Sequence, residues 1–227
     1  MPHSLSIKNL LFTWPKKSDF SLEIPNWQVE TGKKVFLYGR SGQGKSTLLN
    51  LISGIENRYS GHIQVLGQDL ASLSQRQKDT FRANNIGIIF QQFNLLPYLS
   101  AEQNILLAQR FKSSDKKLQP ENLASICDRL ELTRSLLKQK ANELSVGQQQ
   151  RVAVARALYG SPRLIIADEP TSALDTQTRE QFIQLLLDSA QSSTVIFVSH
   201  DMSLAPHFDQ QLDLARLQQQ RSDLDVA

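Results

Sequence analysis

The chain has 227 residues, 40% of them hydrophobic, with 25 basic and 22 acidic side chains for a net charge of +3. That suits one mid-sized α/β domain, or a core with a lobe inserted into it. The near-balance of charge excludes a long polycationic surface: the lysine pairs Lys16–Lys17, Lys33–Lys34 and Lys116–Lys117 stand in loop-like context and read as solvated surface, not a nucleic-acid patch.

In chain order, LSIKNLLFTW and FSLEIPNWQVE are predicted as short alternating strands, with breaks at Pro15 and Pro25. KVFLYG is a buried parallel strand ending in glycine, and KSTLLNLISGI is a helix that stops near Gly54. GHIQVLGQDL reads as a strand and turn, SQRQKDTFRAN as an exposed helix, and IGIIFQ as another buried strand. From about Leu99 to Tyr159 the pattern is almost purely helical, and Cys127 within LASICDRLEL reads as a buried structural thiol that has no internal disulfide partner. RLIIADE and TVIFVSH are again buried strands ending in polar residues, with the amphipathic helix ALDTQTREQFIQLLLDSA between them. The tail LQQQRSDLDVA is polar and reads as frayed. Strands alternating with helices at both ends, interrupted by a helical block, predict a parallel sheet wrapped by helices with an inserted α-helical lobe. The chain opens without the cationic start and apolar run of a signal peptide, and no stretch approaches the ~18 apolar residues of a membrane span. Any membrane role is therefore expected to come through another subunit.

GRSGQGKST, Gly39 to Thr47, fits G-x-x-x-x-G-K-[ST] between a buried strand and a helix. Gly42 and Gly44 remove side chains where backbone N–H groups close on a polyphosphate, and the helix N-terminus adds open donors and partial positive charge. Lys45 reaches for the β- and γ-phosphates, Ser46 offers a hydroxyl to Mg²⁺, and Thr47 is expected to cap nearby. The pattern names a nucleoside triphosphate but not the reaction.

LIIADEP, Leu164 to Pro170, sets two carboxylates at the end of a buried strand, where open α/β sheets bind ligands. Asp168 is expected beside the phosphate loop, holding Mg²⁺ through a water. Glu169, one residue on, can polarise a water for in-line attack. Gln91 and His200 also end strands and are expected at the same edge, Gln91 on Mg²⁺ or its water, His200 on the γ-phosphate or the attacking water. His3, His62 and His207 have no such setting and read as surface.

LSVGQQQR places Ser145, Gly147 and Gln148 at the head of a helix, a second anion site with open N–H groups and a hydroxyl. Since the chain already has a phosphate loop, this surface suits a nucleotide held by a partner, and two copies set head-to-tail would create two composite sites.

In that order the motifs resemble the ATP-binding-cassette (ABC) ATPase subunit of a membrane transporter, and the resemblance covers nearly the whole chain. It makes Gly39–Thr47 the phosphate loop (Gly39, Arg40, Ser41, Gly42, Gln43, Gly44, Lys45, Ser46 and Thr47), Gln91 the Q-loop glutamine and LSVGQ the signature. LIIADE becomes the acidic motif, SALD (Ser172–Asp175) the D-loop and His200 the switch histidine. FTW resembles the A-loop, with Trp14 the first choice for stacking on adenine and Phe12 the second. The resemblance implies a P-loop NTPase (RecA-like) parallel sheet core, at residues 1–91 and 160–227, with an N-terminal antiparallel β subdomain and an inserted helical subdomain over 92–159. It also implies ATP and Mg²⁺ as cofactors, a nucleotide-sandwich dimer, a separate permease and a place on the cytoplasmic face of the inner or plasma membrane.

IGIIFQQFNLLPYLSAEQNI and NELSVGQQQRVAVARAL are similar to the lipoprotein-release and macrolide-efflux branch, with solute importers as the alternative. The apolar stretch Phe93–Tyr98 is expected to receive a helix from the permease. Two departures stand out: Val146 replaces the common glycine, and HFDQQLDLARLQQQ lacks the usual C-terminal hairpin, leaving its strand pairing open. A soluble cassette acting on nucleic acid, another P-loop enzyme such as a kinase, and a binding-only cassette are the rival readings. The absence of a basic stripe, the presence of the signature, and the presence of Lys45, Glu169 and His200 argue against them in turn.

Overall fold

Residues 2–14, 17–107, 120–172 and 174–219 are described by a computed structural model of the chain. Lys16, the Lys116–Lys117 pair, Ala173 and the tail beyond Gln219 lie outside them. Period-two alternation builds the first layer: in β1 (His3–Trp14), Leu5, Ile7, Leu10 and Phe12 are buried. β2 (Lys17–Glu30) runs antiparallel to it, and β4 (Ser60–Val65) and β5 (Gln68–Asp69) complete a sheet of order β2-β1-β4-β5. Pro25 does not break β2 as expected. β2 is an edge strand, where a residue without an N–H is tolerated.

The second sheet has the order β6 (Ile86–Ile89), β7 (Leu164–Asp168), β8 (Thr194–Val198), β3 (Lys34–Tyr38), β9 (Gln210–Asp213), and every pairing in it is parallel. Its central strands are buried on both faces, which is why they read as unbroken apolar runs rather than alternating ones. The helices are α1 (Lys45–Ile52), α2 (Gln75–Asn85), α3 (Ala101–Leu106), α4 (Pro120–Arg129), α5 (Arg134–Lys138), α6 (Val146–Leu158), α7 (Thr176–Ser189) and α8 (Leu214–Gln219). Three of them start with the same device. Ser74, Ser100 and Ser145 cap α2, α3 and α6, and Gln77, Gln103 and Gln148 each return a bond to the capping residue's N–H.

The parallel sheet separates two apolar clusters. On one side Phe36, Ile165 and Phe197 pack with Ile105, Ile126 and Val152 of the helices; on the other Val35, Ile166 and Ile196 pack with α1, α8 and the antiparallel sheet. Cys127 is buried in the first cluster, as its surroundings predict, and burial raises its thiol pKa. Lys34 departs from its reading as a solvated charge: its Nζ donates to the Ala190 carbonyl at 2.7 Å and also to that of Ser193, at the end of α7. The C-terminal pairing is resolved as well. β9 lies parallel to β3, with Val35 opposite Gln210 and Tyr38 opposite Asp213, and runs directly into α8. The start of the tail read as frayed is thus helical, with Leu217 buried.

Candidate nucleotide-binding site

Parallel neighbours bring their carboxyl ends to one edge, so the sheet order gathers the motifs. β3 leads into the phosphate loop, β6 toward Gln91, β7 into Asp168 and Glu169, and β8 toward His200. A cavity of about 490 Å³ opens there, lined by Trp14, Phe20, Ser41, Gly42, Gly44, Lys45, Ser46, Thr47, Gln91, Asp168 and Glu169.

The loop turns into α1 at Gly44, whose φ of 99° favours glycine and where a Cβ would lie 2.7 Å from Phe20 Cζ. No side chain caps α1, so the expected Thr47 cap is not formed and the helix presents its open N–H groups. Lys45 is only 7% exposed; its Nζ donates to the carbonyls of Gly39 at 2.9 Å and Arg40 at 3.1 Å and lies 3.9 Å from Glu169 Oε1. Gln43 braces the loop from within, its Oε1 accepting from the Arg40 N–H at 2.6 Å. Gly39, Arg40 and Gln43 thus support the cavity rather than line it.

Burial holds the Asp168 carboxyl above the ordinary aspartate range, against a hydrogen bond from the Ser46 side chain that favours the ionised form. Glu169 has a left-handed φ of 45°, a conformation that costs a non-glycine residue on the order of 1–3 kcal/mol and clusters at functional sites. Its N–H is anchored on the Val198 carbonyl at 3.0 Å. His200 Nδ1 stands 3.0 Å from Glu169 Oε2, on a side chain that is 64% exposed. Gln91 Nε2 donates to Ser172 Oγ at 3.2 Å, so the Q-loop and D-loop residues are in direct contact.

Of the two aromatic candidates, Phe12 is 1% exposed in the core, whereas Trp14 lines the cavity. Phe12 meets the Trp14 indole edge-to-face at 4.9 Å and 89° and fixes its plane. Phe20, on the same wall, was missed. Its stretch after Pro15 reads as a strand start, and only the β1–β2 pairing folds it over Gly44; its period-two register with Leu22 and Ile24, both buried, was the available signal. Ser145, Gly147, Gln148 and Asp175 do not line the cavity. Asp175 instead caps α7, accepting from the Thr178 N–H at 3.0 Å and its hydroxyl at 2.7 Å, and these bonds lower its carboxyl pKa. Ser145 is exposed, and a Cβ on Gly147 would meet nothing within 4 Å. His207, read as surface, is exposed and pairs with Glu180 at 2.8 Å. Within Phe93–Tyr98, Phe93 is buried and Leu95 packs on the core, while Tyr98 is 68% exposed.

The family model for ABC transporters matches residues 22–172. The chain is 39% identical to an ABC transporter ATP-binding protein, YknY of Bacillus subtilis, over 78% of this chain and 77% of that one. It is 36% identical to the macrolide export ATP-binding/permease protein MacB of Pasteurella multocida, over 81% of this chain and 28% of MacB. Its structure aligns with a post-hydrolysis dimer of the ATP-binding cassette MJ0796 bound to ADP and Pi, with a TM-score of 0.78, 34% identity and coverage of 92% and 93%. MJ0796 is from Methanocaldococcus jannaschii. With the phosphate loop, the acidic strand end and the histidine gathered on one edge, the chain belongs to the ABC transporter family as an ATP-binding, ATP-hydrolysing subunit.

Proposed function

We propose that two copies of the chain close head-to-tail over ATP, each completing the other's site, and that the closure drives an export-type membrane permease. The observation that carries this is the separation of the two phosphate-binding surfaces. One is a lined cavity; the other, at the head of α6, is exposed at Ser145 and does not line that cavity. The open space at Gly147 adds to it. A glycine within a helix costs roughly 1 kcal/mol relative to alanine, and no internal contact explains its choice here. The dimeric MJ0796 structure and the macrolide-export name of MacB support the dimer and the direction of transport.

Within each site Trp14 stacks on adenine, with Phe20 on the same wall. The open N–H groups of the loop and α1 hold the phosphates, and Lys45 exchanges its carbonyl partners for phosphate oxygens. The side-chain oxygens of Ser46, Asp168 and Gln91 form a hard donor set suited to Mg²⁺, and the buried Asp168 carboxyl has a use for a cation beside it. An Mg²⁺ ion held by these residues would supply charge neutralisation at the phosphates. Glu169 takes the proton of the attacking water, and His200, at 3.0 Å, orients that carboxylate. Ser145 and Gly147 of the second copy cover the γ-phosphate.

The permease helix docks in a cavity of about 510 Å³ between α2, β6 and α6, whose walls include Ala83, Ile88, Phe90, Leu107 and Ala157. Within Phe93–Tyr98, Tyr98 is the large side chain left exposed for a partner. Among the described residues no helix is long and apolar enough to cross a membrane, which fits attachment to the cytoplasmic face of the inner membrane through the permease.

The test is a pair of variants followed by light scattering with ATP. Glu169→Gln should form a stable dimer, and Ser145→Arg added to the same chain should leave a monomer whose ATP affinity is unchanged within about twofold. A double variant that still dimerises, or a single chain enclosing its own nucleotide, would refute the composite site.

A further inference from the structure

The link between the loop that follows Glu169 and the turn that carries His200 runs through one side chain outside every motif. Arg179 lies in the second turn of α7. Its Nη2 donates to the Leu174 carbonyl at 2.8 Å, at the end of the Ser172–Asp175 loop, and its Nη1 pairs with Asp201 Oδ2. Asp201 is the residue after His200, and it is held firmly. Its N–H donates to Ser199 Oγ at 3.1 Å, and its Oδ1 accepts from the Ser203 N–H at 3.0 Å and hydroxyl at 2.7 Å. His200 is thus carried on a turn whose two flanking residues are bonded to each other and whose far side is tied to α7.

The arrangement is costly for a merely structural arginine. The first turns of a helix carry the positive end of its dipole and disfavour a cation. The guanidinium is largely buried, and its Nε has no hydrogen-bond partner among the described residues. A surface ion pair would need none of this. What the fork achieves is simultaneous bonding to a carbonyl and a carboxylate on two separate segments, which a single ammonium point charge does not reproduce. The first segment also holds Ser172, whose hydroxyl accepts from Gln91. A continuous path therefore runs from Gln91 through the Ser172–Leu174 loop to Arg179, Asp201 and His200, and returns to Glu169 at 3.0 Å.

From this geometry we infer that Arg179 is a positioning residue, which locks His200 against Glu169 and relays the position of Gln91 to that pair. The inference rests on the ATPase reading above and adds to it a residue that touches neither nucleotide nor water. Because Arg179 acts on the orientation of the base and not on the binding cavity, its loss should lower turnover without weakening ATP binding.

The experiment compares Arg179→Ala, Arg179→Lys and Asp201→Asn with the wild-type chain, with thermal unfolding as the check on folding. Each variant is expected to lose about tenfold or more in kcat while KM for ATP stays within about twofold. Arg179→Lys should fail like alanine, since it keeps the charge and loses the fork. A folded Arg179→Ala that retains kcat within about twofold, a KM that rises in step with the loss, or full rescue by lysine would each overturn the inference. Should Arg179→Ala not fold, Arg179→Lys and Asp201→Asn decide the matter alone. A wild-type chain without ATPase activity would overturn the underlying reading instead.

Discussion

His200 Nδ1 and Glu169 Oε2 stand 3.0 Å apart although 30 residues separate them in the chain, because β7 and β8 are parallel neighbours that end at the same level, Asp168 opposite Val198. A carboxylate one residue past its strand, in a left-handed backbone conformation, is held within reach of the neighbouring strand's end. Glu169→Gln should therefore lower the rate of ATP hydrolysis by about 10²-fold or more, the range of general acid–base catalysis, while ATP still binds. Phosphate release under saturating ATP is the measurement, and wild-type turnover in the variant would remove Glu169 as the base.

Trp14 and Phe12 are neighbours on one strand with opposite fates. Trp14→Ala should weaken ATP binding by about tenfold, in keeping with the 1–3 kcal/mol that base stacking is worth, and Trp14→Phe should recover most of it. Phe12→Ala should instead lower stability by about 3–5 kcal/mol as a large core truncation. Calorimetric titration and denaturant unfolding separate the two, and equal ATP affinity in Trp14→Ala would discard the stacking role.

Gly147 offers a test in which stability and activity move in opposite directions. Gly147→Ala adds a methyl group where nothing lies within 4 Å and improves helix propensity by roughly 1 kcal/mol, which raises the unfolding midpoint by about 2–4 °C for a chain of this size. The same methyl group intrudes on the face that covers the partner's nucleotide, so turnover should fall. A variant that is both more stable and equally active would show that this face stays uncovered.

The Asp168 carboxyl, raised by burial, binds a proton more readily in the folded chain than in the unfolded one. In metal-free buffer its contribution to stability is therefore fully present below the ordinary aspartate pKa and is lost as pH rises through the folded value. Asp168→Asn removes that loss. The variant should melt higher than wild type at neutral pH, with the gap closing as pH falls, and should lose Mg²⁺-dependent hydrolysis. A lower midpoint at neutral pH would contradict the sign.

Strand ends explain how much of the site was legible beforehand. Gly39, Gln91, Asp168 and His200 each come after a short buried apolar run, the pattern of a parallel strand whose polar successor lies at the ligand-binding edge. Those assignments needed no tertiary information, because local periodicity carries them. Ser145 was readable as the head of a helix with an open hydroxyl; the structure engages that hydroxyl in a capping box, where it accepts from the Gln148 N–H.

What the chain could not announce were the relations between distant segments. The edge position of β2 makes Pro25 harmless, and the β1–β2 pairing brings Phe20 over Gly44. The parallel addition of β9 to β3 supplies the strand pairing that the sequence left open and leads into α8, whose Gln218 reaches the Gln43 carbonyl at 3.4 Å. Arg179 looks like any charged residue on an amphipathic helix until Leu174 and Asp201 close around it. The amino-acid sequence by itself determined which polar residues follow the strands and head the helices, because patterning and capping are local. Tertiary structure alone decided which side chains hold them in place, because those partners meet only when the whole sheet has formed.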